Sequence, residues 1–422
     1  MLKLSNLLFI VLLGTTAFSQ TWQWTELADM PFRTSNNAVC EAVVGVDEVV
    51  YSFGGIDTTK IYSGIHNRCF KYTVGTDTWI EIDTLPDAPK IASAASFVKG
   101  KIYILGGYHV ASGGSETSSN KVHVYNPGTE NFEADGAPIP IPIDDHVQCV
   151  YKDSLIFVVT GWSNSGNVPN VQIYNPTFNQ WQAGTSTTNN AFYTAFGASG
   201  NIIGDTLYYH GGASGGAFGA KKFMRKGYIN PLDPTDITWT LMNDAPGDAG
   251  YRSACGVHEN TIFWVGGSAK AYNYDGIAYD GSGGVDPSAR ILHFNNNVYQ
   301  YSDEIAEPYG VMDLRGIAKI GIDRWIICGG MDTNQVVSNR TFLLTSNSVG
   351  IDPIEDNTIL VKNQEEKIII ESTRSAEGIL IDPNGRVIDE FQKASSFTIN
   401  KVNYAPGIYV FVQGNSNIRI RI

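Results

Sequence analysis

The sequence predicts an all-β protein whose main part is a ring of six repeated units. Three observations carry that expectation. A glycine pair recurs at Gly54-Gly55, Gly106-Gly107, Gly211-Gly212, Gly266-Gly267 and Gly329-Gly330, with Thr160-Gly161 in the third place. Counted from the second glycine, the intervals are 52, 54, 51, 55 and 63 residues, a period that marks a propeller blade or a comparable repeat. Second, a strand-like aromatic precedes a proline by seven residues at Trp24-Pro31, Trp79-Pro86, Trp239-Pro246 and Tyr301-Pro308, and by six at Phe132-Pro138. Third, the first of these strands has no unit before it, and the last unit, ending near Thr345, lacks one. The first strand therefore completes the last unit.

Bulk composition agrees. Of 422 residues, 43% are hydrophobic, only 17% are charged and 44 are glycine, which suits short strands and tight turns better than helices or disorder. The net charge of -13 argues against nucleic acid or an anionic membrane surface as a partner. Residues 1–19 read as a secretory signal: Lys3, an apolar core over residues 7–13, and Ala17-Phe18-Ser19 as a cleavage site. No later stretch is long and apolar enough for a transmembrane segment. A secreted or outer-membrane cell-surface location is expected.

Each unit, within residues 20–347, begins with a strand of small residues, turns tightly, and continues as an apolar strand into its glycine pair. Glycine suits that place because the backbone must take positive φ or approach a neighbour closely. Tyr72, Tyr125, Tyr174 and Phe294 then precede Trp79, Phe132, Trp181 and Tyr301 by seven residues, and Tyr228 precedes Trp239 by eleven. Counting back from the glycine pairs aligns Cys40, Ala95, Cys149, Gly197, Cys255 and Ala318. All are small, as sheets converging on an axis require, so three of the five cysteines are expected to be inert fillers. An odd cysteine count excludes complete internal pairing.

The Gly-Gly, Tyr and Trp spacing resembles the kelch-repeat family from about Trp22 to Thr345. The resemblance implies a six-bladed β-propeller of radial four-stranded blades, closed by the terminal strands. After a polar linker at residues 348–357, short apolar segments at 358–361, 367–371, 378–381, 386–391, 396–399, 407–412 and 418–422 predict a small C-terminal β-sandwich over residues 358–422. Asn384-Gly385-Arg386-Val387, Pro406-Gly407-Ile408-Tyr409-Val410 and the basic Arg419 and Arg421 make it similar to the type A sorting domain of Bacteroidota type IX secretion. That resemblance implies the type IX secretion machinery as a partner.

Loops after the glycine pairs are long, and they share a face with the blade connectors, so ligands are expected there. Arg33, Asp144, Asp145, His146, Tyr193, Tyr251, Arg252, Asp313 and Arg315 lie near strand starts on that face. Arginines beside carboxylates suit an anionic sugar or peptide, and Asp145 with His146 suits a base and its orienter. The competing expectation is that these groups are inter-blade ion pairs. No catalytic motif and no cysteine pair at metal-ligand spacing is present. Asp275, Asp280 and Asp286 in an acidic, glycine-rich loop are candidate calcium ligands without the EF-hand spacing. The chain thus reads as a module binding a protein or glycan ligand. The alternative is a carbohydrate-acting enzyme like the N-acetylneuraminate epimerases, which share the kelch-type propeller.

Overall fold

The structure is a computed structural model describing residues 20–305, 309–348, 359–364, 366–382, 386–413 and 416–422. The leader at 1–19, Pro308, the interdomain linker through residue 358 and the turn residues 383–385 lie outside the described residues. The described residues divide into two compact units, one ending at Ser348 and one made of the C-terminal segment.

The first unit is a six-bladed propeller. Blade one consists of Ala38–Val44, Asp47–Ile56, Ile65–Thr73 and Thr78–Ile82, paired antiparallel in that order. Blades two to five repeat the plan, starting at Ile91–Val98, Val147–Tyr151, Phe196–Ile203 and Ala254–His258. Blade six supplies Ala318–Lys319, Arg324–Cys328 and Thr341–Ser348. Its outermost strand is Gln20–Leu27, from the other end of the chain, in register from Gln20 opposite Ser348 to Leu27 opposite Thr341. The glycine pairs take positive φ where each second strand meets the next blade's connector. A Cβ on Gly211 would lie 1.8 Å from the carbonyl oxygen of Gly250.

In blades one, two, three and five the recurrent aromatics face each other across the outer hairpin of the blade. Tyr72 and Trp79 lie 5.1 Å apart, Tyr125 and Phe132 5.0 Å, Tyr174 and Trp181 4.9 Å, and Phe294 and Tyr301 5.1 Å. The indole N–H of each of these Trp residues donates to the connector that leaves the preceding blade and enters its own: Trp79 to Ala28 O, Trp181 to Ala137 O and Trp239 to Thr185 O. Tyr301 does the same with its hydroxyl on Asn243 O. Blade four departs from the expected pair. Its outer hairpin carries a bulge at Ile229/Asn230. Trp239 therefore sits opposite Gly227 and packs edge-on against Tyr209, while Tyr228 is half exposed.

At the centre, one residue per blade adopts a left-handed backbone: Asn36, Ala92, Asp145, Gly197, Arg252 and Asp313, with φ between 47° and 67°. Their amides link around the axis. Asp145 N donates to Ala92 O, Gly197 N to Asp145 O, Arg252 N to Gly197 O, Leu314 N to Arg252 O and Asn36 N to Asp313 O. Between blades one and two a side chain takes over, because Ala92 N donates to Asn36 Oδ1 at 2.7 Å. Gly197 thus belongs to this belt and not to the row of small fillers. The residue that corresponds to Cys255 and Ala95 by strand pairing is Gly200, opposite Tyr209. Cys40, Ala95, Cys149, Cys255 and Ala318 pack in the inter-blade clusters as expected. All five cysteines are free thiols.

Among its described residues the C-terminal unit is one five-stranded sheet, not the seven short strands expected. The expected strands at 367–371 and 378–381 are continuous as Lys367–Ile381, and those at 386–391 and 396–399 as Val387–Asn400. Register shifts between Glu371 and Gly378 let the pair bend. Residues from both halves, Ile370 and Leu380 among them, then share one core with Phe397, Tyr409 and Phe411.

Candidate functional site

The expected site residues part into a buried plug and a periphery. Four of them close the propeller axis. Asp145 is 2% exposed, Arg252 1% and Asp313 0%. Arg252 grips Asp145 with two N–H groups, at 3.1 and 2.6 Å, and Asp313 with a third at 2.9 Å. Ser35 Oγ and Asn36 Nδ2 also donate to Asp313. Arg315 donates to His146 O at 2.9 Å and stands 3.6 Å from Asp145. Two guanidinium groups thus face two carboxylates, so the plug is formally neutral and ties blades three, five and six to blade one. Tyr251 and Tyr272 flank the Arg252 guanidinium at 5.2 and 5.5 Å. The ion-pair expectation describes these groups better than the anion-site expectation, because their charges satisfy one another.

Asp145 and His146 do not form a base and orienter. His146 Nε2 bonds Gln148 Oε1 at 3.0 Å, on the opposite side of the plug, and its Nδ1 has no partner among the described residues. Burial, with Arg315 adding repulsion, pushes its pKa down to about 4. The unfolded chain protonates this histidine near its ordinary value of about 6.5, whereas the folded chain refuses the proton until lower pH. Its contribution to stability is therefore complete above that ordinary value and falls as pH drops toward 4. In an NMR titration the His146 ring resonances should stay flat from about pH 8 to about pH 5. A midpoint near the ordinary value would return His146 to the list of candidate bases.

Two of the expected residues lie elsewhere. Arg33 is exposed at the rim and donates to Val337 O. Tyr193 joins the structure through its carbonyl, which accepts from Tyr209 Oη. The three acidic-loop carboxylates are also dispersed. Asp275 caps the amide of Ile277, Asp280 that of Ser282 and Asp286 that of Asn334. Among the described residues no three His, Cys, Asp or Glu side chains form a metal-ligating group.

The plug separates two depressions. On the face with short turns, a funnel of about 340 Å³ runs down the axis past Ser96, Gln148, Ser199 and Ser253. This is the larger one, although the long loops belong to the other face. Its polar groups satisfy each other: Gln148 donates to Ser96 Oγ, and the Ser199 and Ser253 hydroxyls lie 3.2 Å apart. On the loop-rich face, a cup of about 100 Å³ has Asp144, Asp145 and Arg252 in its wall with Tyr108, Glu116, Trp162, Phe196, Phe218 and Tyr279. The aromatic rings brace one another; Trp162 and Phe218 lie 5.4 Å apart, Phe218 and Tyr279 5.2 Å. Asp144 accepts from Ser118 Oγ at 2.6 Å. Its carboxyl is pushed well up by burial and by the neighbouring Asp145 charge, and Glu116 is raised chiefly by desolvation, which outweighs the pull of the Arg252 charge. Sequence reasoning missed the aromatic wall. Its one signal is position, since Trp162, Phe218 and Tyr279 all lie in loops that follow a glycine pair or its Thr160-Gly161 counterpart.

Fold and repeat chemistry together define a kelch-type six-bladed β-propeller. Comparison with known proteins agrees. The kelch motif matches residues 92–137. The chain is 28% identical over 167 residues to the kelch-like protein terF of Aspergillus terreus, covering 38% of this chain but only 35% of that protein. It is 25% identical over 284 residues to the N-acetylneuraminate epimerase of Shigella flexneri, covering 66% of this chain and 67% of the epimerase. The solved structure of YjhT superimposes with a TM-score of 0.61 at 14% identity, over 82% of this chain and 99% of YjhT, a likeness of fold.

Proposed function

We propose that the loop-rich face is a binding surface for a protein or glycan ligand, one group of which enters the aromatic cup. The observation carrying this reading is the contrast between the plug and the cup. Every plug charge has a countercharge, whereas Glu116 and Asp144 line the cavity beside Tyr108 with no ion-pair partner among the described residues. Apolar walls with a few convergent polar groups are the usual make-up of a ligand site. Screening the whole chain on glycan and peptide arrays tests this. Binding should appear and should be lost on Trp162→Ala with Phe218→Ala. No ligand in either class, together with turnover of a sugar, would overturn it.

The similarity to N-acetylneuraminate epimerase favours a second reading, a sugar epimerase or mutarotase. Following the anomers of N-acetylneuraminate by NMR decides it, and a rate equal to buffer ends it. The resemblance of the C-terminal segment to type IX sorting domains supports export to the cell surface. Fractionating cells that express the chain without residues 359–422 tests that, and unchanged surface display would sink it.

A further inference from the structure

Three features of the cup select among ligands. The first is size. The cup is about 100 Å³, below the about 300–1,000 Å³ usual for pockets that bury a whole drug-sized ligand, so it suits the end of a side chain better than an entire ligand. The second is charge. Arg252 and Arg315 are cancelled by Asp145 and Asp313, which leaves Glu116 and Asp144 as carboxyls without a cationic partner. The third is a hydrogen-bonding group: the Tyr108 hydroxyl belongs to a side chain 4% exposed, lines the cavity, and makes no hydrogen bond among the described residues. Its burial keeps it a neutral phenol at ordinary pH. The walls between these groups are aromatic faces and edges, which attract cations as well as methylenes.

We propose that the cup is a receptor for a primary alkylammonium group, such as the end of a lysine side chain, with the ammonium against Asp144, Glu116 and Tyr108 and the stem against Trp162, Phe218 and Tyr279. The ammonium has three donors and no acceptor, which matches two carboxyl groups and a phenol oxygen, and its charge on entry favours the ionised form of both carboxyls. Its positive charge supplies the countercharge that Arg252, gripped by two carboxylates, does not provide. This inference rests on the loop-rich face being the binding surface.

The test is calorimetric titration of the whole chain with Nα-acetyl-lysine methylamide, its Nζ-acetylated counterpart, n-butylammonium and glucosamine. The lysine derivative should bind, and the Nζ-acetylated form should bind at least about tenfold more weakly, as loss of a charge-assisted contact implies. Glu116→Gln and Asp144→Asn should each weaken binding by a similar factor. Glu116 is at the rim, so its variant reports binding even if the Asp144 change disturbs folding. Butylammonium binding as tightly as the lysine derivative would assign the cup to small amines, and weaker binding would assign it to a protein side chain. Equal affinity for the acetylated form, or binding of glucosamine alone, overturns the proposal. An array ligand whose binding needs Trp162 and Phe218 but ignores ammonium groups would leave the binding surface intact and remove only the amine.

Discussion

A chain lacking Gln20–Leu27 should lose about 10–20 °C of thermal midpoint, or its cooperative transition altogether. These eight residues form the whole outer strand of blade six. Without them Thr341–Ser348 becomes a bare edge. Trp22 lies 5.4 Å from Trp325 and 4.6 Å from Phe263, and Trp24 lies 5.7 Å from Phe342. Both indoles are half buried. Losing roughly 60–120 Å² of contact from each, at about 25 cal/mol per Å², removes about 3–6 kcal/mol before any hydrogen bond is counted. The Glu26–Arg340 ion pair goes too, but it is exposed and contributes little. Calorimetry of the truncated chain checks this, and a peptide of residues 20–28 added in trans should recover part of the loss. An unchanged midpoint would mean that blade six stands without its closing strand.

The second large effect is expected at Arg252. Arg252→Met keeps the length and apolar stem of the side chain but strands two carboxylates that are 2% and 0% exposed. Breaking a buried pair in this way costs about 3–5 kcal/mol, because the remaining charge stays desolvated. Arg315, at 3.6 Å from Asp145, offsets only part of it. Adding Asp145→Asn to the same chain should recover stability, since one stranded charge is gone. The two substitutions should therefore be clearly non-additive in urea denaturation. If the single variant unfolds at the wild-type midpoint, the plug does not hold the blades together.

The repeat was legible because its chemistry is local and periodic. Glycine pairs mark where backbone must pass close to backbone, and aromatics seven residues apart face each other across a hairpin. Ring closure was legible from a mismatch, one strand too many at the start and one too few at the end. Blade four resisted because a bulge breaks the spacing, and Gly197 was misplaced because a left-handed glycine and a small filler look alike in sequence. At the axis, residue identity was readable and partnership was not. Asp145, Arg252, Asp313 and Arg315 stood out as charges near strand starts, yet three blades meet to neutralise them. The aromatic wall was illegible for a different reason. Its members come from loops of unequal length in different blades, and no spacing rule connects them.

The plug also decides what kind of object the disc is. With Arg252 and Arg315 locked across the middle, no solute can travel from one mouth to the other. The propeller is a partition with two unlike faces, not a conduit. A molecule held among the aromatics on one side meets none of the serines and thiols on the other. Each face is therefore free to change its chemistry without consulting its opposite.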